Sequence, residues 1–270
     1  MHYDPVKNVF ARIIRAIPVL RVAFYKLLDL MFLRSWYVRR ELRELRKKFG
    51  NRQIAILDAG SGYGQYTYFM AKHLSPATIL AVDLKQDWID DCRHFFAEDA
   101  YKHVSFAIED LTKIEHEIKF DLIVCVDVME HILEDEVVFG NFQRALKPGG
   151  YVLINSPSVF GGSDVHGDDD ESFIGEHARD GYSHTELQEK MQRQGLKMYQ
   201  YKYTYGFWGD KAWRLGLKYP MLLANVSKVF LLVIPFYLLV TFPVTFCLMQ
   251  IDYRKKNEVG SGINFIAVKE

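Results

Sequence analysis

Beyond residue 50 the chain alternates between two hydrophobic rhythms. Short apolar runs at 53–58, 78–84, 104–108, 120–127 and 146–154 have the length and composition of buried strands. Between them, 65–74, 86–98 and 134–146 are long enough and mixed enough to be amphipathic helices. Strand and helix in alternation predict a parallel sheet covered on both faces. Two later segments, Leu196 to Tyr205 and Gly262 to Lys269, alternate as strands again. Ser183 and Glu186 have the S-x-x-E spacing of a capped helix start.

The two flanking regions follow other patterns. Phe10, Ile13, Ile14 and Ile17 make an i, i+3, i+4, i+7 stripe over residues 5–17, and Pro18 interrupts it. Leu20, Phe24, Leu27, Leu28 and Met31 make a second apolar face that runs through Leu33 and closes at Trp36 and Tyr37. Arg39 to Lys48 is a charged helix in which Glu44 and Lys48 form a supportive i, i+4 pair. Near the other end, Val229 to Met249 runs for twenty-one residues without a charge, long enough to span a bilayer. It lies inside Gly206 to Gly260, far more chain than a turn between two strands needs.

Charge sharpens this picture. The formal net charge is zero, but residues 1–50 hold twelve Lys and Arg against four acids, leaving +8 there and −8 elsewhere. A basic end on a neutral chain points to an anionic surface as partner. Its basic residues are interleaved with large aliphatics, which a phosphate-tracking surface does not need, so a membrane is preferred to nucleic acid. Three cysteines (Cys92, Cys125 and Cys247) lack ligand spacing, and no metal site is expected. Charges interrupt the N-terminal apolar residues, so no signal peptide is expected.

The chemistry concentrates at Ile56-Leu57-Asp58-Ala59-Gly60-Ser61-Gly62-Tyr63-Gly64, a strand, a glycine-rich turn and a helix start. Glycines allow a tight turn and close approach, and a helix N-terminus presents N–H groups to a ligand. The dinucleotide fingerprint G-x-G-x-x-G/A would need Gly or Ala at 65, where the chain has Gln65, and the third glycine arrives one residue early.

Asp-x-Gly-x-Gly-x-Gly, from Asp58 to Gly64, instead resembles motif I of the class I S-adenosylmethionine-dependent methyltransferases. Further landmarks follow in order: Asp83-Leu84, nineteen residues after Gly64; Glu109-Asp110-Leu111; Phe120 to Asp127; and Leu146-Lys147-Pro148-Gly149-Gly150. Val128-Met129-Glu130-His131-Ile132 resembles the group that includes the ubiquinone O-methyltransferases. The resemblance implies a Rossmann-like, mostly parallel sheet of seven strands and S-adenosyl-L-methionine as cofactor. It places Asp58, Gly60, Ser61, Gly62, Tyr63, Gly64, Asp83, Leu84, Glu109, Asp110, Leu111 and Asp127 around that cofactor. Asp83 would accept the ribose hydroxyls and Asp110 would read the adenine amino group. In such enzymes the loop after the fifth strand hangs over the methyl donor. Here that loop is residues 157–182, rich in acids whose spacing does not match a calcium loop, and it carries His177, Arg179 and Tyr182 as substrate-side candidates. His131 either steadies its loop or takes part in the chemistry, and His177, His131 and Tyr182 are the catalytic candidates.

Three regions result: an N-terminal helical cap (1–50), a cofactor-binding domain (51–205 with 260–270), and a hydrophobic insertion (206–259). The cap helices either cover the core domain or face a membrane. A single crossing by 229–249 would strand the last β-segment on the wrong side of the membrane, and Pro235 and Pro243 divide the stretch. An in-plane or re-entrant helical hairpin, a monotopic anchor on the cytoplasmic side, meets both constraints; a helix pair buried in the protein is the competing reading. The expected function is O-methylation of a lipophilic phenol, quinol or lipid hydroxyl. N-methylation of an amine headgroup and a cofactor-binding scaffold without turnover are the alternatives.

Overall fold

A computed structural model describes residues 18–161, 179, 181–227, 230 and 232–270, so the expected helix over 5–17 lies outside the described residues. The chain opens with α1 (Pro18–Met31) and α2 (Leu33–Phe49). The alternating region follows as β1 (Ile54–Ala59), α3 (Gln65–His73), β2 (Ala77–Asp83), α4 (Gln86–Phe95), β3 (Val104–Ile108), β4 (Phe120–Val126), α5 (Asp135–Ala145) and β5 (Leu146–Pro157). After the long loop come α6 (His184–Arg193) and β6 (Leu196–Thr204), and β7 (Gly262–Lys269) closes the sheet. The seven strands lie in the order β3-β2-β1-β4-β5-β7-β6. β1 to β5 pair in parallel, and β7 enters antiparallel between β5 and β6. Ser183 Oγ accepts the Glu186 N–H at 3.1 Å, as the capping spacing predicts.

Strand periodicity separates two cores. Ile54, Ile56 and Ile79 face Val38, Leu42, Phe69 and Ile89 of the first four helices, while Leu57, Ile123 and Val152 face Phe139, Phe142, Leu187 and Met191 of α5 and α6. α2 is therefore a cap on the core domain, with Leu33, Tyr37, Val38, Leu42 and Leu45 all buried. On its outer side Glu44 pairs with Lys47 at 2.7 Å rather than with Lys48, whose ammonium lies 4.3 Å from the Tyr199 ring centroid.

The insertion is a helical hairpin, built differently from the expectation. Its first arm runs from α7 (Phe207–Trp213) through a wider π-type turn (Arg214–Lys218) into α8 (Tyr219–Val226). Its second arm is α9 (Ile234–Arg254), a continuous helix with Pro235 in the first turn and Pro243 in its interior. The prolines thus do not cut the stretch into pieces, since the helix is continuous from Ile234 to Arg254. A Cβ on Gly209 would stand 2.6 Å from Asp252 Oδ2, and one on Gly216 would stand 2.9 Å from Thr245 Cγ2, which sets the arms antiparallel and nearly touching. At the base, the fully buried Asp252 carboxylate accepts from Tyr37 Oη at 2.6 Å and from the Gly209 N–H at 3.0 Å. Toward the tip the hairpin is bare: Phe236, Leu239 and Val240 are 71%, 75% and 75% exposed.

At the edge of the sheet opposite the glycine turn, Asp121 is buried and accepts from the Ala55 N–H (2.8 Å), Arg52 (2.7 Å) and Lys147 (2.8 Å). Burial alone would raise its pKa, but these three donors hold it below the usual carboxylate value. The stability it contributes is present above the unfolded carboxylate pKa and is lost as pH falls through the folded one. Asp121→Asn should therefore cost about 1–3 kcal/mol at pH 7 in denaturant unfolding, with the gap to wild type closing below about pH 4.

Candidate functional site

The glycine turn crosses the carboxyl ends of β1 and β2. Gly60, Gly62 and Gly64 adopt φ of 80°, 53° and 77°, conformations that strain any residue with a Cβ. A Cβ on Gly60 would lie 2.2 Å from Val128 Cγ2, so the turn is pressed against the segment that follows β4. The turn does not simply offer its N–H groups outward. Those of Gly60 and Ser61 bond the Val82 carbonyl (2.8 and 2.9 Å), that of Gly62 bonds Asp83 Oδ2 (2.9 Å), and that of Gly64 bonds the Ser61 carbonyl (2.9 Å). Recognition passes instead to side chains and to the first turn of α3.

Asp83 anchors this arrangement, since its other oxygen accepts the Lys85 N–H at 3.0 Å. Leu84 beside it is exposed, as a residue lying against a ligand would be. Asp58 is buried, accepts from the Thr67 hydroxyl, and is pushed up to about pH 7 in pKa by burial, with the neighbouring Asp83 charge adding to the shift. Ser61 is buried, and its hydroxyl has no partner among the described residues, an orphan group that a bound ligand would satisfy. The Tyr63 ring lies 4.6 Å from that of Trp88 and is partly exposed. These features suit a small polar ligand with a hydroxylated sugar.

At the end of β3, Glu109 faces His116 at 2.9 Å, and Asp110 Oδ1 caps its own turn through the Thr112 hydroxyl (2.7 Å) and N–H (3.0 Å). Those bonds, with Lys113 at 3.1 Å, hold the Asp110 pKa below normal, so a ligand amino group there would compete with an exposed lysine. Both residues line an open cleft of about 300 Å³. The Leu111 side chain is buried in the core cluster behind this cleft.

The third strand end had a hidden partner. Asp127, at a φ of 51°, is ion-paired with Arg34 from the first turn of α2. Arg34 also donates its backbone N–H to Tyr205 Oη at 3.0 Å, and its guanidinium lies near Tyr66 and Glu130. Glu130 is buried, accepts from Ser156 Oγ at 3.1 Å, and has a raised pKa because burial outweighs that bond. No local motif marks Arg34, because ninety-three residues separate it from Asp127.

The catalytic candidates separate. His177 lies outside the described residues. His131 is exposed, on a short turn (Met129–His131) over the β4 end. Tyr182 is corrected: it is fully buried, its hydroxyl donates to Asp135 Oδ2 at 2.9 Å, and burial pushes its pKa upward, away from any role as a base. Arg179 joins the same lock, 2.7 Å from Asp135 and with its guanidinium 4.8 Å from the Tyr182 ring centroid. Both residues fasten the end of the long loop to α5. Among the described residues no metal-ligating cluster is present.

Residues 51–212 match the family model described as a methyltransferase domain. The ubiquinone biosynthesis O-methyltransferase of Coxiella burnetii is 26% identical over 121 residues, 43% of this chain and 50% of the relative. The chain spans about half the length of the curated relatives it matches. Among solved structures, the [4+2]-cyclase SpnF superposes with a TM-score of 0.58 at 15% identity, over 86% of this chain and 81% of that one. A phosphoethanolamine N-methyltransferase of Haemonchus contortus, solved with phosphomonomethylethanolamine and S-adenosylhomocysteine, does so with a TM-score of 0.56 at 21% identity, over 85% and 52%. These two likenesses establish the fold.

Asp83→Ala removes a charged acceptor and frees the Gly62 and Lys85 N–H groups. Binding of S-adenosylmethionine, followed by calorimetry, should weaken at least about tenfold, at roughly 1.5–3 kcal/mol for each lost bond to a charged group. Unchanged affinity would remove Asp83 from the site.

Proposed function

The chain belongs to the methyltransferase-domain family, and from that premise we propose that it methylates a lipophilic acceptor resident in a membrane, with S-adenosylmethionine as donor. The first choice of reaction is O-methylation of a phenol, quinol or lipid hydroxyl. The observation that carries the membrane part is the bare hairpin: α9 is long and apolar enough to cross a bilayer, yet little of it is buried in the protein. A buried helix pair would hide those side chains. Because the first arm leaves the sheet after β6 and the second returns to it before β7, the chain enters and leaves on one face. From Tyr219 to the tip the first arm adds roughly 13 Å of helix, close to one leaflet of a hydrocarbon core about 30 Å thick. Arg254, Lys255 and Lys256 follow the base, which supports our reading of a monotopic protein on the cytoplasmic side.

The bound cofactor supplies an electrophilic methyl group on its sulfonium. The protein's part is to hold donor and acceptor in line, exclude water, and take up a proton when the acceptor is a hydroxyl. The glycine turn, Asp58, Ser61, Tyr63 and Asp83 would hold the donor, with Leu84, Glu109 and Asp110 beside its base. Arg34 and Asp127 stand at the neighbouring strand end, where open α/β sheets place their ligands. His177 is the proposed base and His131 the second candidate; histidine suits that task near neutral pH. N-methylation of an amine is the competing reading, and the pair of acids Asp127 and Glu130 beside the site is the observation that favours it.

His177→Ala should lower S-adenosylhomocysteine release on native lipid extract by 10²–10⁴-fold at neutral pH with cofactor binding intact. A loss of only a few-fold would move the task to His131 or to an amine acceptor. The membrane part has its own check. Extraction should need detergent even in high salt, because apolar burial is not screened as ion pairing is. Tags at residues 1 and 270 should both be open to protease from the cytoplasmic face. Recovery in the soluble fraction would favour the buried pair, and protection of the C-terminal tag alone would mean a true span.

A further inference from the structure

α1 has two faces with different tasks. On the inner face, Arg21 is buried and its guanidinium is fully engaged: Nε donates to Tyr25 Oη (2.7 Å), Nη1 to Asp91 Oδ2 (2.9 Å) and the Asp91 carbonyl (3.1 Å), and Nη2 to the Tyr63 carbonyl (2.9 Å). Tyr25, also buried, donates its own hydroxyl to the same Tyr63 carbonyl. One backbone oxygen in the middle of the glycine turn thus receives two donors from one helix. A Cβ on Gly64 would stand only 3.4 Å from Tyr25 Oη, so the helix is seated directly on the turn. Cys92 and Phe95 of α4 complete the seat, at 3.2 Å from Nη2 and with the ring centroid 4.7 Å from the guanidinium carbon.

The outer face lies on the opposite side of the helix, at 100° per residue, and carries Val19, Leu20, Leu27 and Leu30, all exposed, with Lys26 at its edge. Among the described residues, none of the core domain covers it. At the end of α1, Met31 shares a small gap with Gly216, Leu238 and Phe242 of the hairpin, so this face continues into the hairpin's bare surface. An aliphatic face edged by the exposed Lys26 and joined to a larger apolar surface fits an anionic lipid interface, and the +8 of residues 1–50, most of it outside α1, has the complementary sign.

We propose that Arg21 and Tyr25 are positioning residues for the cofactor turn, and that the outer face of α1 rests on an anionic lipid surface, so that membrane contact and cofactor affinity are coupled. The coupling rests on the membrane reading given above; the positioning does not. A helix that frays from the domain releases the Tyr63 carbonyl, and the turn loses its fixed shape. A surface that holds the helix down keeps the turn ready, and by linkage the bound cofactor strengthens lipid binding by the same factor.

The test measures S-adenosylmethionine affinity by calorimetry, with and without phosphatidylcholine vesicles containing phosphatidylglycerol, alongside vesicle flotation. Wild type should float and bind cofactor about fivefold more tightly with vesicles present. Leu27→Glu with Leu30→Glu should keep the vesicle-free affinity and lose the gain. Tyr25→Phe and Arg21→Lys should weaken affinity by up to about tenfold, the scale of one lost bond. On native lipid extract they should raise the cofactor KM while kcat is retained, a split that general loss of folded protein would not produce. Unchanged affinity in both variants, with unchanged melting temperature, overturns the positioning role. Flotation without any vesicle effect on affinity overturns the coupling and leaves the membrane reading standing. Failure to float overturns the membrane reading and the coupling together.

Discussion

The fold depends on where β7 lies. It enters between β5 and β6 and pairs antiparallel with both, so the edge strand β6 joins the sheet only when chain from beyond the insertion returns to lie between them. Whatever occupies residues 205–261 must therefore leave and come back at one end of the sheet. Two antiparallel helices meet that condition, and a lone span does not. The cost of fixing the base of this hairpin is a carboxylate out of water: Asp252 is tolerable there because a tyrosine hydroxyl and a backbone N–H meet it within 3 Å. Tyr37, which supplies that hydroxyl, is one turn along α2 from Arg34, so one helix touches both the hairpin base and the candidate site.

The order of elements and the position of the glycine turn were legible because they rest on local signals. Period-two and period-3.6 hydrophobicity, three glycines at fixed spacing and acids at strand ends are written within a few residues of one another. The lock of Arg179 and Tyr182 on Asp135, and the pair of Arg34 with Asp127, join residues more than forty positions apart. A single sequence carries no mark of such pairs. The place of Tyr182 beside a long loop therefore suggests a site residue, whereas its ring belongs to the core. The two prolines misled for another reason. Pro235 sits in a first turn, where its missing N–H has no intrahelical partner to lose, and Pro243 sits in an arm whose packing on α7 outweighs one absent bond.

The site is asymmetric in how firmly it is held. The cofactor side is braced by backbone bonds from β2 and by α1, with little freedom left in the turn. The proposed acceptor side is bounded by an ion pair of partly exposed residues, a short turn with the exposed His131, and the long loop whose far end Arg179 fastens to Asp135. A family fold supports many acceptors by varying such a border while leaving the donor side alone. The [4+2]-cyclase SpnF has the same fold.

The placement of β7 also governs the order in which the molecule can be made. Translation delivers β5, β6 and both hairpin arms before β7, so during synthesis the β5 edge stands open and β6 unpaired beside a long apolar helix pair. Contacts of such large sequence separation form late and slowly, and unpaired strand edges are prone to wrong association in the interval. A nascent chain whose hairpin had already met lipid would wait for its last strand while tethered to a surface, away from other unfinished copies. The hairpin would then act as a folding aid before the enzyme had a site to serve.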